Sequence, residues 1–380
     1  MKYYVIAGEA SGDLHAANLM KAIQQKDERA QFRVWGGNRM KAAGGELVKH
    51  YRDLAFMGFA EVIKNLPAIL KNFSSCKKDI VTYKPDVLIL VDYPGFNLRI
   101  AEFAKKSGLR VVYYISPQIW AWKQSRVKKI KKYVDKMIVI LPFEQEFYHR
   151  KGLEVDFVGH PQLDALAEEK TTPKKEFFEK NLLEDRPIIA LLPGSRKQEV
   201  AKTLSVMLEV MPYFDEYQFV VAGVNTITSK FYRGIIGERP AHVLIGKTHD
   251  LLHYSEAALV TSGTATLETA LIGVPEVVCY KGSKLSFMIA RRVVKVKYAS
   301  LVNLILNREV VKELIQHDLT KENLVKGLNN ILRNTSDRKR LKTDYAELRK
   351  KLGEEGASER AANLIVDFLA PPHPPRIKGE

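Results

Sequence analysis

Asp92 follows five apolar residues, Val87 to Val91, in the run Asp92-Tyr-Pro-Gly-Phe-Asn97, and is the side chain best suited to take a proton from a hydroxyl. A carboxylate at the end of a buried strand is partly desolvated, which raises its pKa or fixes its orientation for work as a general base. Its competing use is as a turn former or a cap for the next helix. Glu9, Ser11 and Asp13 form a second polar cluster in Gly8-Glu-Ala-Ser-Gly-Asp13, again after an apolar strand, Val5 to Ala7, and again with capping as the competing use. His15 and His160 stand alone and read as packed or hydrogen-bonded residues rather than catalysts.

Pro187-Ile-Ile-Ala-Leu-Leu-Pro-Gly-Ser-Arg196 suits a different task. Ile188 to Leu192 is short and wholly apolar, as a parallel strand covered on both faces must be. Gly194 lets the backbone come close to a ligand, Ser195 can cap the following helix, and Arg196 adds a cation beside free N–H groups, so the expected guest is an anion. Ser262-Gly-Thr-Ala-Thr-Leu-Glu268 repeats the design. There Ser262, Gly263, Thr264 and Thr266 can gather hydroxyls and N–H groups round a phosphate, and Glu268 stands where a carboxylate binds the two hydroxyls of a ribose. Each turn could equally be an ordinary helix start. The chain has no Gly-x-Gly-x-x-Gly and no complete Walker Gly-x-x-x-x-Gly-Lys-Ser/Thr, which argues against hydride transfer and P-loop ATP hydrolysis. It has no Asp-x-Asp either, so we expect arginine and helix ends to neutralise a diphosphate, with no metal and no cofactor.

A third stretch is apolar and basic. Phe56, Met57, Phe59, Val62, Ile63, Leu66, Ile69, Leu70 and Phe73 recur largely at helical spacing, with Lys64, Lys71, Lys77 and Lys78 interspersed. Such a helix can lie in a bilayer interface or cover acyl chains, or it can face a core. The leading Phe56, Met57 and Phe59, with Pro67 inside the run, favour the first reading. Trp120-Ala-Trp122 and the basic run Lys123 to Lys132 could attach to anionic headgroups or stack on a base.

The elements that must position these residues alternate β and α throughout. Strands are expected at Val5–Ala7, Phe32–Trp35, Asp86–Val91, Arg110–Ile115, Lys136–Leu141 and Asp156–Gly159. The pattern restarts at Ile188–Leu192, Gln218–Ala222, His242–Ile245, Ala257–Thr261 and Glu276–Tyr280. This predicts parallel sheets with helices on both faces and ligands beyond the carboxyl ends of the strands. The charged segment Glu168 to Arg186 marks a boundary between domains at 1–170 and 187–345. From Arg308 onward we expect helices, with those at about 350–369 crossing back over the first domain and a disordered tail at 370–380.

A chain of 380 residues with 46% hydrophobic content is expected to form two or three globular domains. No apolar run reaches the ~18–20 residues of a spanning helix, and the opening residues show no signal-peptide layout, so a cytoplasmic location is expected. Cys76 and Cys279 fit neither a disulfide framework nor a zinc site. The net charge of +16 admits nucleic acid, an anionic membrane surface or acidic small molecules as partners. No recognition helix, RNA-binding motif or zinc finger supports the first.

Gly8 to Asp13, Asp92 to Asn97, Tyr114-Ile-Ser-Pro-Gln-Ile-Trp-Ala-Trp122, Leu192 to Arg196, Ser262 to Glu268 and Leu301-Val-Asn-Leu304 occur in the order and spacing of the lipid-A-disaccharide synthase family, and the chain resembles that family from Met1 to Leu369. The resemblance implies a GT-B fold: two doubly wound, Rossmann-like α/β domains facing a cleft, with a C-terminal helix returning to the first. It implies an inverting glycosyltransferase of Gram-negative bacteria that joins UDP-2,3-diacylglucosamine to 2,3-diacylglucosamine 1-phosphate, giving the β-1′,6-linked lipid A disaccharide 1-phosphate and UDP. By resemblance Asp92 is the base, lined by Glu9 and Ser11. Ser195, Arg196, Gly263, Thr264, Thr266, Glu268, Asn303 and Gln316 then lie on the nucleotide side, and Phe56 to Phe73 face the membrane. It further implies peripheral association with the anionic cytoplasmic face of the inner membrane and a homodimer with exchanged C-terminal segments. His15, where small residues are usual, and Val302, in place of a common proline, depart from the pattern and bear on the shape of their loops. A UDP-N-acetylglucosamine 2-epimerase shares the fold and the nucleotide turn but has no use for a lipid-facing helix. A basic nucleic-acid-binding protein is the rival from another class.

Overall fold

A computed structural model of the protein describes residues 1–53, 66–282 and 296–370. The chain divides into two compact units, Met1–Ala167 with the segment from Leu352 onward, and Glu168–Lys351.

The first unit holds a parallel seven-stranded sheet: β1 (Lys2–Ala7), β2 (Gln31–Gly36), β3 (Glu46–His50), β4 (Val87–Val91), β5 (Arg110–Tyr114), β6 (Lys136–Val139) and β7 (Asp156–Phe157). They lie in the order β3-β2-β1-β4-β5-β6-β7. β4 is apolar at every position and buried at every position, because helices cover both faces of a parallel sheet. The strand order reverses between β1 and β4, where Ala7 pairs with Val91. Ligands bind beyond the strand ends at such a reversal.

The second unit repeats the plan with β8 (Ile188–Leu192), β9 (Gln218–Gly223), β10 (Ala241–Ile245), β11 (Ser255–Thr261), β12 (Glu276–Tyr280) and β13 (Lys312–Ile315). All pairs are parallel, in the order β10-β9-β8-β11-β12-β13, so this sheet reverses between β8 and β11. The helix Lys174–Lys180 belongs here and buries Phe177 and Phe178 against Ile188, Ala190, Val220 and Leu251.

β3 and β13 were not expected, and β13 corrects the reading that the chain is helical from Arg308 onward. Both are edge strands with one neighbour among the described residues, so neither needs an apolar run; in β13 only Leu314 is buried. Helices do follow, at Lys321–Arg333, Thr335–Leu352 and Ala357–Leu369. The last packs against the helix Ala10–Gln24 within the first unit. Asp164 fixes its start by accepting from the N–H groups of Gly356 (2.7 Å), Ala357 (3.2 Å) and Ser358 (2.8 Å), and Arg360 donates to the Val158 carbonyl at 2.8 Å. A carboxylate there satisfies unpaired donors and complements the helix dipole.

In the helix Leu66–Tyr83, Phe73, Cys76 and Ile80 turn inward at helical spacing, and Phe73 stacks on Phe96 at 4.5 Å. Phe73 is therefore a core residue rather than part of a lipid-facing set. Ile69 is half-buried, and Leu70 is 56% exposed. Phe56, Met57, Phe59, Val62 and Ile63 lie outside the described residues, as does the side chain of Leu66. Among the described residues no helix is long and apolar enough to cross a membrane.

Candidate active site

Asp92 is the first residue beyond β4, at the reversal of the first sheet. It and Tyr93 both adopt left-handed backbone, with φ of 44° and 48°. Non-glycine residues held this way cost about 1–3 kcal/mol each and need local support. The support is visible: the Asn97 amide, fully buried, donates to the carbonyls of Asp92 (2.7 Å) and Val91 (3.2 Å), and the Tyr113 hydroxyl donates to the same Asp92 carbonyl at 2.5 Å. Gly8 makes room, since a Cβ there would come within 2.2 Å of the Tyr93 ring. Burial, reinforced by the nearby Glu9 carboxylate, pushes the Asp92 carboxyl up to about 7. A base with that pKa is matched to proton abstraction near neutral pH.

Glu9 occupies the cap position of the helix Ala10–Gln24 without capping it, and Ser11 lies half-exposed in its first turn. Asp13 serves the fold. It is buried and accepts from the N–H groups of Gly37 (2.7 Å), Met40 (3.1 Å) and Arg39 (3.1 Å), so it caps the helix Asn38–Ala42. His15 and His160 are both buried, and burial pulls them down to about 4 and about 3, so both are neutral packing groups.

In the second unit Pro193 to Arg196 leave β8 at its carboxyl end. Arg196, not Ser195, takes the cap position of the helix Lys197–Met207. Glu199 reaches back instead and accepts from the Ser195 N–H at 3.3 Å. Gly194 makes this possible: its φ is 107°, and a Cβ would lie 2.3 Å from the Glu199 carboxylate. Burial raises the pKa of Glu199, and Arg196 opposes that rise. Arg196 itself is exposed and makes no ion pair among the described residues. A turn whose N–H group already holds a carboxylate oxygen is built to hold an anion.

Across the reversal, Ser262 follows β11 and donates to the Ala299 carbonyl at 2.9 Å. Gly263 and Thr264 are exposed at the start of the helix Thr264–Ile272, which no side chain caps. Thr266 is buried and donates to the Gly263 carbonyl at 2.8 Å, holding the turn's shape. Glu268 neighbours His249, whose Nε2 lies 3.8 Å from its carboxylate and whose Nδ1 contacts Glu169. Asn303 is fully buried, and its amide is spent on the fold: it accepts from the N–H groups of Val310 and Val311 and donates to the Val311 carbonyl and to Glu313. Glu313 also accepts from Ala299 and Ser300, so it anchors the loop that meets Ser262. Gln316, just beyond β13, has left-handed backbone (φ 56°), and its buried Nε2 has no hydrogen-bond partner among the described residues.

The loop after β5 borders Asp92, because Val91 pairs with Tyr114. Trp120 is buried, donates to Glu144 at 3.1 Å and packs edge-on against Phe143, so of the two loop tryptophans only Trp122, 40% exposed, is presented to solvent. Burial pushes Glu144 up to about 8.

Sequence reasoning missed Asn97 as the clamp on Asp92, along with Tyr113, Glu144, Glu199, His249 and Glu313. Glu199 and Glu144 each had a local signal, a glutamate in the first turn of a helix where capping boxes place one.

The profile of the family described as "Lipid-A-disaccharide synthetase" matches residues 3–368. The chain is 41% identical over 377 residues to the lipid-A-disaccharide synthase of Trichlorobacter lovleyi, covering 96% of this chain and 97% of that one. Among solved structures, the Neisseria meningitidis UDP-GlcNAc 2-epimerase bound to UDP-GlcNAc superposes with a TM-score of 0.66 at 14% identity, covering 97% of this chain and 99% of that one. The calicheamicin glycosyltransferase CalG4 gives 0.59 at 15% identity, covering 97% and 98%. These two likenesses show the GT-B fold that glycosyltransferases and epimerases share, and the full-length matches in sequence decide the family. The chain belongs to the lipid-A-disaccharide synthase family.

Proposed function

We propose that the protein transfers 2,3-diacylglucosamine from UDP to the 6-hydroxyl of 2,3-diacylglucosamine 1-phosphate with inversion, giving the β-1′,6-linked disaccharide 1-phosphate and UDP. The observation that carries this reading is Asp92, a carboxyl clamped at the reversal of the first sheet and pushed up to about 7. Asp92 takes the proton of the acceptor hydroxyl as that oxygen attacks the anomeric carbon from the face opposite UDP. The bond from that carbon to the diphosphate oxygen breaks, and its electron pair leaves with UDP. Arg196 and the N–H groups near Gly194 and Gly263 take up the charge that grows on the diphosphate. Glu199 must yield its hold on the Ser195 N–H when the diphosphate arrives. Glu268 binds the ribose hydroxyls and Gln316 the nucleotide, while Thr266 and Asn303 contribute by shaping the turns. Glu9 acts by raising the base, and Ser11 lines the acceptor side.

The lipid substrates call for peripheral attachment to an anionic membrane on its cytoplasmic face, supported by exposed Leu70 and Trp122 beside lysines and arginines. In a homodimer with exchanged C-terminal segments, a partner copy would supply the contacts that Ala357–Leu369 makes with Ala10–Gln24. The test is incubation with both diacylated substrates, followed by mass spectrometry and NMR of the product. A β-linked disaccharide 1-phosphate with equimolar UDP supports the reading. Conversion of soluble UDP-N-acetylglucosamine to the manno epimer, with no disaccharide, would replace it by epimerase chemistry.

A further inference from the structure

The loop between β5 and the helix Val127–Tyr133 is rigid at its base and cationic at its tip. Its base is pinned by the left-handed Ile115 (φ 64°), by a 2.7 Å hydrogen bond between the Ser116 and Tyr148 hydroxyls, and by Trp120 on Glu144. A β-branched residue in that conformation is a marked outlier and needs such support. At the tip Lys123 lies 4.5 Å from the Trp122 ring centroid and the Arg126 guanidinium 5.5 Å from it. Arg126 is half-buried, yet its side chain makes no hydrogen bond or ion pair among the described residues. Arg33, Arg186, Arg308, Arg333, Arg338 and Arg360 all find carboxylates or carbonyls. Its electrostatic neighbour is Tyr113, the residue whose hydroxyl donates to the Asp92 carbonyl. Burial accordingly pulls the Arg126 pKa down. Withdrawing a cation from water with an aromatic face but no hydrogen-bond acceptor beside it is costly, and a planar guanidinium is suited to bind a phosphate through two parallel hydrogen bonds.

We infer that Arg126, assisted by Lys123, binds the phosphomonoester of the acceptor lipid and so sets which of its hydroxyls meets Asp92. This rests on the reading of Asp92 as the base that deprotonates a phosphorylated acceptor sugar. Such a site makes the enzyme selective for an acceptor that carries phosphate. A bilayer headgroup offers similar chemistry, so the test separates the two sources.

The experiment compares wild type, Arg126→Ala and Arg126→Lys with diacylglucosamine 1-phosphate and with the same lipid lacking its phosphate, at saturating UDP-diacylglucosamine, and measures sedimentation with phosphatidylglycerol vesicles. Losing a charge-assisted pair should raise the KM of Arg126→Ala for the phosphorylated acceptor by about 10- to 100-fold. The donor KM should hold, Arg126→Lys should recover part of the loss, and vesicle binding should be unchanged. On the acceptor without phosphate, wild type and Arg126→Ala should perform alike. An equal loss on both acceptors, with or without loss of vesicle binding, or an unchanged KM for the phosphorylated one, would overturn the inference while leaving the proposed reaction standing. If wild type turns over neither acceptor, the proposed reaction falls and takes this inference with it.

Discussion

Replacing Asp92 by Asn should make the protein more stable at the pH where it works. The native environment raises the Asp92 carboxyl from 3.8 to about 7, chiefly by burial and secondarily through Glu9. The folded state therefore binds a proton more tightly than the unfolded chain does, and wild-type stability from this group falls as pH rises from near 4 through about 7. With 1.36 kcal/mol per pKa unit, the cost of the ionised carboxylate grows from about 2 kcal/mol at pH 5 to about 4 kcal/mol at pH 8, and levels off above that. Asparagine removes the charge, keeps the shape, and is among the residues that tolerate the left-handed backbone seen here. All three tryptophans, Trp35, Trp120 and Trp122, lie in the first unit, so their fluorescence during urea unfolding reports the unit that contains Asp92. The stability gain of Asp92→Asn over wild type should widen by about 2 kcal/mol between pH 5 and pH 8. A gain that does not change with pH, or a variant less stable than wild type throughout, would refute the assignment of a raised pKa.

The same carboxyl should govern the rate: kcat/KM should rise with pH through a limb near 7, and Glu9→Gln, by removing a neighbouring negative charge, should move that limb to lower pH. A limb that stays in place would remove Glu9 from this role. Glu199→Gln should tighten UDP binding a few-fold by calorimetry, reflecting the about 0.3–1 kcal/mol of one charge at a helix start, whereas Arg196→Ala should weaken it about 10- to 100-fold. Weaker binding by Glu199→Gln would make that carboxylate a prop for the turn rather than a competitor of the diphosphate. Asn303→Ala leaves the Val310 and Val311 N–H groups buried without partners, so it should cost the second unit at least about 3 kcal/mol in circular-dichroism melts; a neutral effect would show that the loop rearranges.

Residues whose burial and spacing speak for themselves were legible in advance. β4 and β8 announce themselves as unbroken apolar runs, and the motifs beyond them mark where each sheet reverses. β3 and β13 are edge strands that bury little and so carry no such run. The partners of the site were hidden for a different reason. Tyr113 reaches Asp92 from β5, and sequence spacing carries no trace of contacts made through a parallel sheet, whereas Glu9, expected beside the base, is the neighbour that helps raise it. Asp13 shows the converse: placed with the chemistry by its motif, it is consumed by a helix start from Gly37 to Met40. His15 lies buried near His160, and both are accepted there as neutral groups.

The most direct test is single-turnover transfer by Asp92→Asn with both lipid substrates, run beside its equilibrium binding of UDP. Loss of a positioned base predicts transfer slowed by about 10²-fold or more with UDP affinity within a few-fold of wild type. Transfer at a rate close to wild type would contradict it, and the proton would have to leave by another group.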